Sequence, residues 1–190
     1  MSSEQRVPKK FEDRAYVLDF LPHGKLRATS FRAEPIVQIV GESFYTLLEA
    51  TTKDSVSIMP HDRVYIGKDL PRENINHVIG RITYNDLTTG AKSELPLVLE
   101  EIVKTQEKRF VEFFNNAQGI TPRMHSLELI PGIGKKYTWS ILRVREQKPF
   151  TSFQDIKERT EVPDLVKLIV KRIMEELSEV PKYRIFTRPS

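Results

Sequence analysis

The chain has 190 residues, 39% of them hydrophobic, enough for one large domain or two small ones with a real core. It contains no cysteine, which excludes disulfides and thiolate metal sites, and no apolar run approaches the roughly 20 residues that a membrane-spanning helix needs. The net charge of +4 is unevenly spread: residues 1–122 carry 16 Lys and Arg against 17 Asp and Glu, a net of −1, whereas residues 123–190 carry 14 against 9, a net of +5. A soluble, cytoplasmic protein is expected, with no membrane association and with a basic last third suited to a polyanion.

Residues 1–13 are polar and are expected to be disordered. From Arg14 to Tyr84 the pattern is short, β-rich and punctuated by turns. Strands are predicted over Ala15–Leu21, Ile36–Val40, Phe44–Ala50, Arg63–Ile66 and His77–Tyr84, the second and third forming a hairpin across Gly41-Glu42. Pro60-His61-Asp62 is a turn feeding the fourth strand, which sends Val64 and Ile66 inward and Arg63 and Tyr65 outward. Several short strands without intervening helices predict a small barrel or sandwich over residues 14–90.

The period then changes. Leu95, Leu99, Ile102, Phe110, Phe113, Phe114 and Ala117 recur at near-helical spacing, interrupted at Gln106, so one long helix or two shorter ones bridge residues 91–120. Ser93 is the expected cap and Pro96 falls in the first turn. A short helix from Pro122 to about Ile130 leads to Pro131-Gly132-Ile133-Gly134-Lys135-Lys136, and a second helix runs from Lys135 to about Gln147. A third, short helix is capped by Ser152, a break falls at Thr160–Asp164, and the last helix covers Leu165–Leu177. The basic tail, 180–190, interleaves aromatic and cationic residues. It can serve as an arm that orders on nucleic acid, or pack as an extra strand.

The Gly132–Lys136 stretch carries the most chemistry. Glycines permit backbone angles and close approaches that a side chain forbids. A loop opening straight into a helix aims unpaired N–H groups and the positive end of the helix dipole at one spot, a geometry that binds phosphate. Amides near Gly132, Ile133 and Gly134 are the expected phosphate ligands. Lys135 and Lys136 add charge, and Arg143, Arg145 and Lys148 extend the patch. Such contacts hold a backbone without reading its sequence. Arg63, Tyr65 and Arg81 on the strands are candidates for bonding to or stacking on unpaired bases, although ordinary strand decoration is the better reading of each alone.

Leu129–Lys136 with its flanking helices resembles the helix-hairpin-helix module. Pro149-Phe150-Thr151-Ser152-Phe153-Gln154-Asp155-Ile156 is similar to the linker that joins two such modules in tandem. Two positions depart from that pattern. Thr138 stands where a smaller residue such as Ala is usual, and Glu161-Val162-Pro163-Asp164 replaces the second glycine loop. The resemblance therefore implies that only the first hairpin, within residues 121–179, grips a backbone. Pro60–Ile66 resembles the turn and strand of OB-type barrels. Together these parts resemble an uncharacterised archaeal family that is predicted to bind RNA, domain of unknown function 655. That resemblance implies an α+β molecule with a small OB-like β-barrel followed by an all-α tandem helix-hairpin-helix domain. It also implies a nucleic-acid partner, RNA favoured over DNA.

No cofactor fingerprint and no catalytic constellation is found. His23, His61, His77 and His125 are scattered without metal spacing. The leading expectation is a non-catalytic nucleic-acid-binding protein that uses no cofactor or metal. The alternatives are a protein-docking adaptor, since hairpin modules also serve in docking, and a repair enzyme with Asp155 as its acid.

Overall fold

Residues branched at Cβ crowd a helical turn and suit extended pairing, and the first half of the chain follows that preference. The computed structural model describes residues 11–24, 34–179 and 181–188. Residues 1–10, with Val180, Pro189 and Ser190 of the tail, lie outside the described residues. The chain divides between Ala91 and Lys92 into two compact units.

In the first unit, β1 (Arg14–Leu21), β2 (Ile36–Gly41), β3 (Leu47–Thr52), β4 (Arg63–Tyr65) and β5 (Ile75–Arg81) form one antiparallel sheet in the order β4-β1-β2-β3-β5. The third strand starts at Leu47 rather than Phe44 because Tyr45 turns with a φ of 57°. Register shifts fall within β1, between Val17 and Asp19, and at two places along the β3–β5 ladder. Such bulges bend a strand and increase its twist, which curls the sheet. Val17, Val37, Ile39, Leu48, Ala50, Val64, Ile66 and Ile75 line the inside of the curl. Val64 and Ile66 point inward, as the alternation predicts.

The expected closed, OB-like β-barrel does not form. β4 is only three residues long and pairs with β1, while β5 pairs with β3. Among the described residues β4 and β5 do not pair with each other, so the sheet is a half-barrel with two open edges.

Both faces of β2 and β3 are buried. On the outer face Gln38 donates to Glu49 (2.9 Å) and to the carbonyl of Asp86 (3.0 Å), and accepts from the Thr88 N–H (2.8 Å). These bonds dock a 3₁₀ turn, Tyr84–Asp86, on the sheet. The Thr88 hydroxyl accepts from the Ala91 N–H and so caps α1 (Thr89–Thr105), which starts before the expected Ser93. Pro96 consequently lies inside α1 rather than in its first turn, and cannot make the bond that a residue there donates to the carbonyl four residues earlier. Glu12, in the polar N-terminal segment, is buried. Its carboxylate accepts three N–H groups, from Ser43, Phe44 and Thr46, and fixes the β2–β3 turn.

The second unit begins within α1 and continues through α2 (Glu107–Asn116), the helical stripe breaking at Gln106. The expected all-α tandem helix-hairpin-helix domain is also corrected at its start. Instead of a helix over 122–130 there is a small ribbon, β6 (Gly119–Thr121) with β7 (Met124–His125), and then one 3₁₀ turn, Ser126–Leu129. Pro122 and Arg123 make the bend between the two strands. His125 and Glu128 cap the 3₁₀ turn reciprocally, through bonds to Leu127 N–H and His125 N–H. Pro131-Gly132 then stops it before it can lengthen.

Three α-helices follow: α3 (Lys135–Gln147), α4 (Phe153–Thr160) and α5 (Leu165–Ser178). Asn115 exchanges two bonds with Phe150, and Glu107 accepts the Phe153 N–H, which ties α2 to the α3–α4 linker.

The described tail, residues 181–188, is neither arm nor strand. Phe186 inserts between Phe110 and Phe113, with ring centroids 5.4 and 5.2 Å away. The buried Glu176 carboxylate accepts the N–H groups of Ile185, Phe186 and Thr187 and the Thr187 hydroxyl, and pairs with Arg172 at 2.8 Å. Arg172 in turn donates to the Tyr183 carbonyl. No helix of the described residues is long and apolar enough to cross a membrane.

Candidate functional site

The site builds from Pro131 to Lys136. Gly132 has a φ of 94°, which side chains disfavour. A Cβ there would also sit 2.9 Å from Leu168 Cδ2 of α5. The glycine is thus required for its backbone angle, and α5 approaches it closely through the tip of the Leu168 side chain. Ile133 is buried, and its N–H donates to the carbonyl of Ile130 (2.9 Å). It plugs the loop into the core, so the Ile133 amide is already engaged and is not a phosphate ligand.

Gly134 is the N-cap of α3. It has no side chain to close the helix start, and a Cβ there would meet nothing within 4 Å. The first helical bond runs from Thr138 N–H to the Gly134 carbonyl (3.0 Å). The amides of Lys135, Lys136 and Tyr137 therefore have no acceptor within the helix, and no side chain caps them. Lys135 and Lys136 are exposed beside them. Such a helix start attracts an anion through its amides and its dipole.

The opposite end of α3 is closed. Arg159 donates to the carbonyls of Val144 (3.0 Å) and Lys148 (2.7 Å), and its guanidinium lies 4.9 Å from the Phe150 ring. Lys148, the C-cap, lies about 20 Å from Gly134 along the helix and does not share its anion. Arg145 is held inward, donating to the Phe114 carbonyl (2.9 Å). Burial lowers its pKa, and its role is structural.

Lys136 and Arg143 stay on the exposed side of α3, where they line a groove of about 420 Å³ with Tyr137, Trp139, Ser140, Thr160 and Glu161. Trp139 is 71% exposed. It stands three residues from Lys136 and four from Arg143. That spacing assigns it to their helix face.

Asp155 is engaged in local bonds. Its carboxylate accepts from the Thr151 N–H (3.0 Å) and hydroxyl and from Arg159 (3.1 Å). Burial pushes its pKa up, but these partners outweigh burial and hold it below the ordinary carboxylate value.

Of the strand candidates, Arg63 and Tyr65 border one pocket beside β4, and Arg81 lies apart from them. Arg63 makes a two-pronged ion pair with Glu42 (2.8 and 2.9 Å), which raises its pKa. The Tyr65 hydroxyl accepts the N–H groups of Asp69 and Leu70, and Arg14 lies over its ring. Both are thus tied into the first unit's own structure. Arg81, at the far edge on β5, lines a different feature. The unclosed gap of the half-barrel is a cleft of about 530 Å³ bordered by Phe11, Lys68, Arg72, His77 and Arg81 together with Asp13 and Asp69. Nothing in the sequence pattern announces this cleft, because it exists only where two edge strands fail to meet. Among the described residues no three His, Asp or Glu side chains gather to hold a metal.

A model of the DUF655 family, described as a protein family of unknown function, matches residues 11–188. An uncharacterised protein of Methanocaldococcus jannaschii is 48% identical over 187 residues, which cover 97% of this chain and 84% of that protein. The crystal structure of Af1531 from Archaeoglobus fulgidus, a DUF655 protein, is 45% identical and matches with a TM-score of 0.83 over 93% of this chain and 100% of its own. A partial likeness reaches a PolC-type DNA polymerase III of Thermotoga petrophila. It is 27% identical over 150 residues, which are 78% of this chain but 10% of the polymerase. The chain thus belongs to the DUF655 family.

Proposed function

We propose that this protein binds a nucleic-acid backbone without catalysing a reaction on it, with one phosphate seated at the start of α3. The observation that carries this reading is the open, uncapped N-terminus behind Gly132-Ile133-Gly134, with Lys135 and Lys136 beside it. The amides of Lys135, Lys136 and Tyr137 would bond the phosphate oxygens, and the two ammonium groups would supply charge. Such a contact is independent of sequence and sensitive to salt. The net charge of +5 over residues 123–190 favours the same partner. RNA is the preferred polymer, as the sequence resemblance implies. A likeness to proteins named DNA polymerases is in keeping with a nucleic-acid partner in general.

Titration of the whole chain with duplex DNA, single strands and structured RNA at two salt concentrations tests the proposal. Binding should weaken as salt rises. Lys135→Glu should lower affinity on every polymer and make the slope of log K against log salt shallower by about one phosphate contact. Absence of binding to all three polymers at low salt would sink the proposal.

A further inference from the structure

We infer that Trp139 is a stacking platform for one unpaired base of the bound strand, an inference that rests on the phosphate reading of the α3 N-terminus. Trp139 is the only tryptophan in the chain, and it is 71% exposed. Its indole sits in a groove with Lys136 on one side and Arg143 on the other, while Thr160 and Glu161 form the remaining border. Along α3, Trp139 is one turn beyond Lys135, about 6 Å. A nucleotide whose phosphate sits at the helix start can therefore lay its base in the groove.

The charges favour this occupant. Lys136 and Arg143 attract the strand into the groove, whereas the Glu161 carboxylate on its border repels a second phosphate and leaves the space to an uncharged base. Stacking of bases on aromatic rings tolerates any sequence, because every base has a π-face. A protein partner fits less well. Hot-spot tryptophans sit within an apolar patch sealed by a polar rim, but among the described residues of α3, α4 and α5 no other large apolar side chain is exposed.

Because Trp139 is the sole tryptophan, its emission reports on this groove alone. A short oligouridylate, which offers unpaired bases, should quench the emission on binding; a duplex RNA of similar charge should bind through phosphate contacts without quenching. By anisotropy of a labelled oligouridylate, Trp139→Ala should weaken binding about 5- to 150-fold and Trp139→Phe should retain most of it. Duplex affinity should be unchanged in both. Salt-dependent, Lys135-sensitive binding with unmoved emission and a silent Trp139→Ala would overturn the stacking and leave the phosphate reading standing. No binding to strand or duplex overturns both. Quenching only by a protein ligand, with none by the oligouridylate, also overturns the stacking.

Discussion

Two loops of the second unit occupy equivalent positions, each running into a helix, and their ends are finished in opposite ways. Pro131–Gly134 leads into α3, and Glu161–Asp164 leads into α5. Each turns through a positive φ, at Gly132 (94°) and Glu161 (58°), and each buries one apolar plug, Ile133 or Val162. At the α5 start the Asp164 carboxylate accepts the Lys167 N–H (3.3 Å) and also pairs with the Lys167 ammonium. That helix carries its own anion. At the α3 start the equivalent residue is Gly134, which offers none, and Lys135 and Lys136 stand where α5 has Leu165 and Val166. The same backbone arrangement is thus self-satisfied in one copy and left open to an external anion in the other. A helix terminus marks a binding site only when the chain declines to cap it.

The largest expected effect comes from the frame that the loops share. Leu168 of α5 presses on Gly132, and Glu176, about two turns further along the same helix, anchors the tail through four hydrogen bonds and Arg172. Glu176→Ala takes from the buried Arg172 guanidinium its closest carboxylate and leaves several N–H groups without a partner. Chemical denaturation should show a loss of about 3–5 kcal/mol, with exchange protection falling at both loops together. If the Pro131–Gly134 amides keep their protection, α5 is not what holds that loop.

Next is a transplant. Gly134→Asp gives α3 the cap that α5 already has, at an N-cap whose φ of −86° any residue adopts and where a Cβ meets nothing. Stability should rise by about 0.5 kcal/mol, while affinity for any nucleic acid should fall about 10- to 100-fold, because the carboxylate takes the phosphate's bonds. The opposite signs matter: a variant that lost both stability and affinity would show that Gly134 is structural rather than an open anion seat.

Much of this contrast is legible in the sequence. The glycine loop, the lysines behind it and the acidic twin are read from Pro131–Lys136 and Glu161–Asp164 alone, since cap chemistry is local. Strand positions follow from β-branched runs, and Val64 and Ile66 from alternation. What the sequence misplaces depends on partners distant along the chain. Edge pairing decides barrel closure, and β4 and β5 lie at opposite edges of the sheet. The 122–130 helix is lost to a ribbon whose pairing joins Gly119 to His125. Arg63 and Tyr65 read as outward-facing, with strand decoration the better reading of each alone, and the partners Glu42 and Arg14 that engage them are not visible in the local pattern. The tail reads equally as an arm or as an extra strand, yet Phe186 enters a cluster built by α2, and no local pattern in residues 180–190 names that cluster.

Gly132→Ala should separate the loop's geometry from its charge. The left-handed angle and the 2.9 Å approach of Leu168 together should cost about 2 kcal/mol. Shortening the neighbour in Gly132→Ala/Leu168→Ala removes the clash but not the backbone strain. The double variant should therefore be more stable than the sum of the two single losses, as a double-mutant cycle by denaturant would measure. An additive cycle would mean that the angle alone fixes glycine here.

The smallest effect lies one turn into α3. Thr138 is buried, and its hydroxyl has no hydrogen-bond partner among the described residues. An unpaired buried hydroxyl opposes folding, whereas a methyl of the same shape does not. Thr138→Val keeps the branched outline and should add about 1 kcal/mol of stability, seen as a higher denaturation midpoint at an unchanged slope. Nucleic-acid affinity should be untouched, since the side chain faces the core and the first-turn amides stay open. A loss of stability instead would mean that the hydroxyl finds a partner in solution. A loss of affinity would mean that the α3 start depends on this contact, and the open loop would then differ from its capped twin in packing as well as in charge.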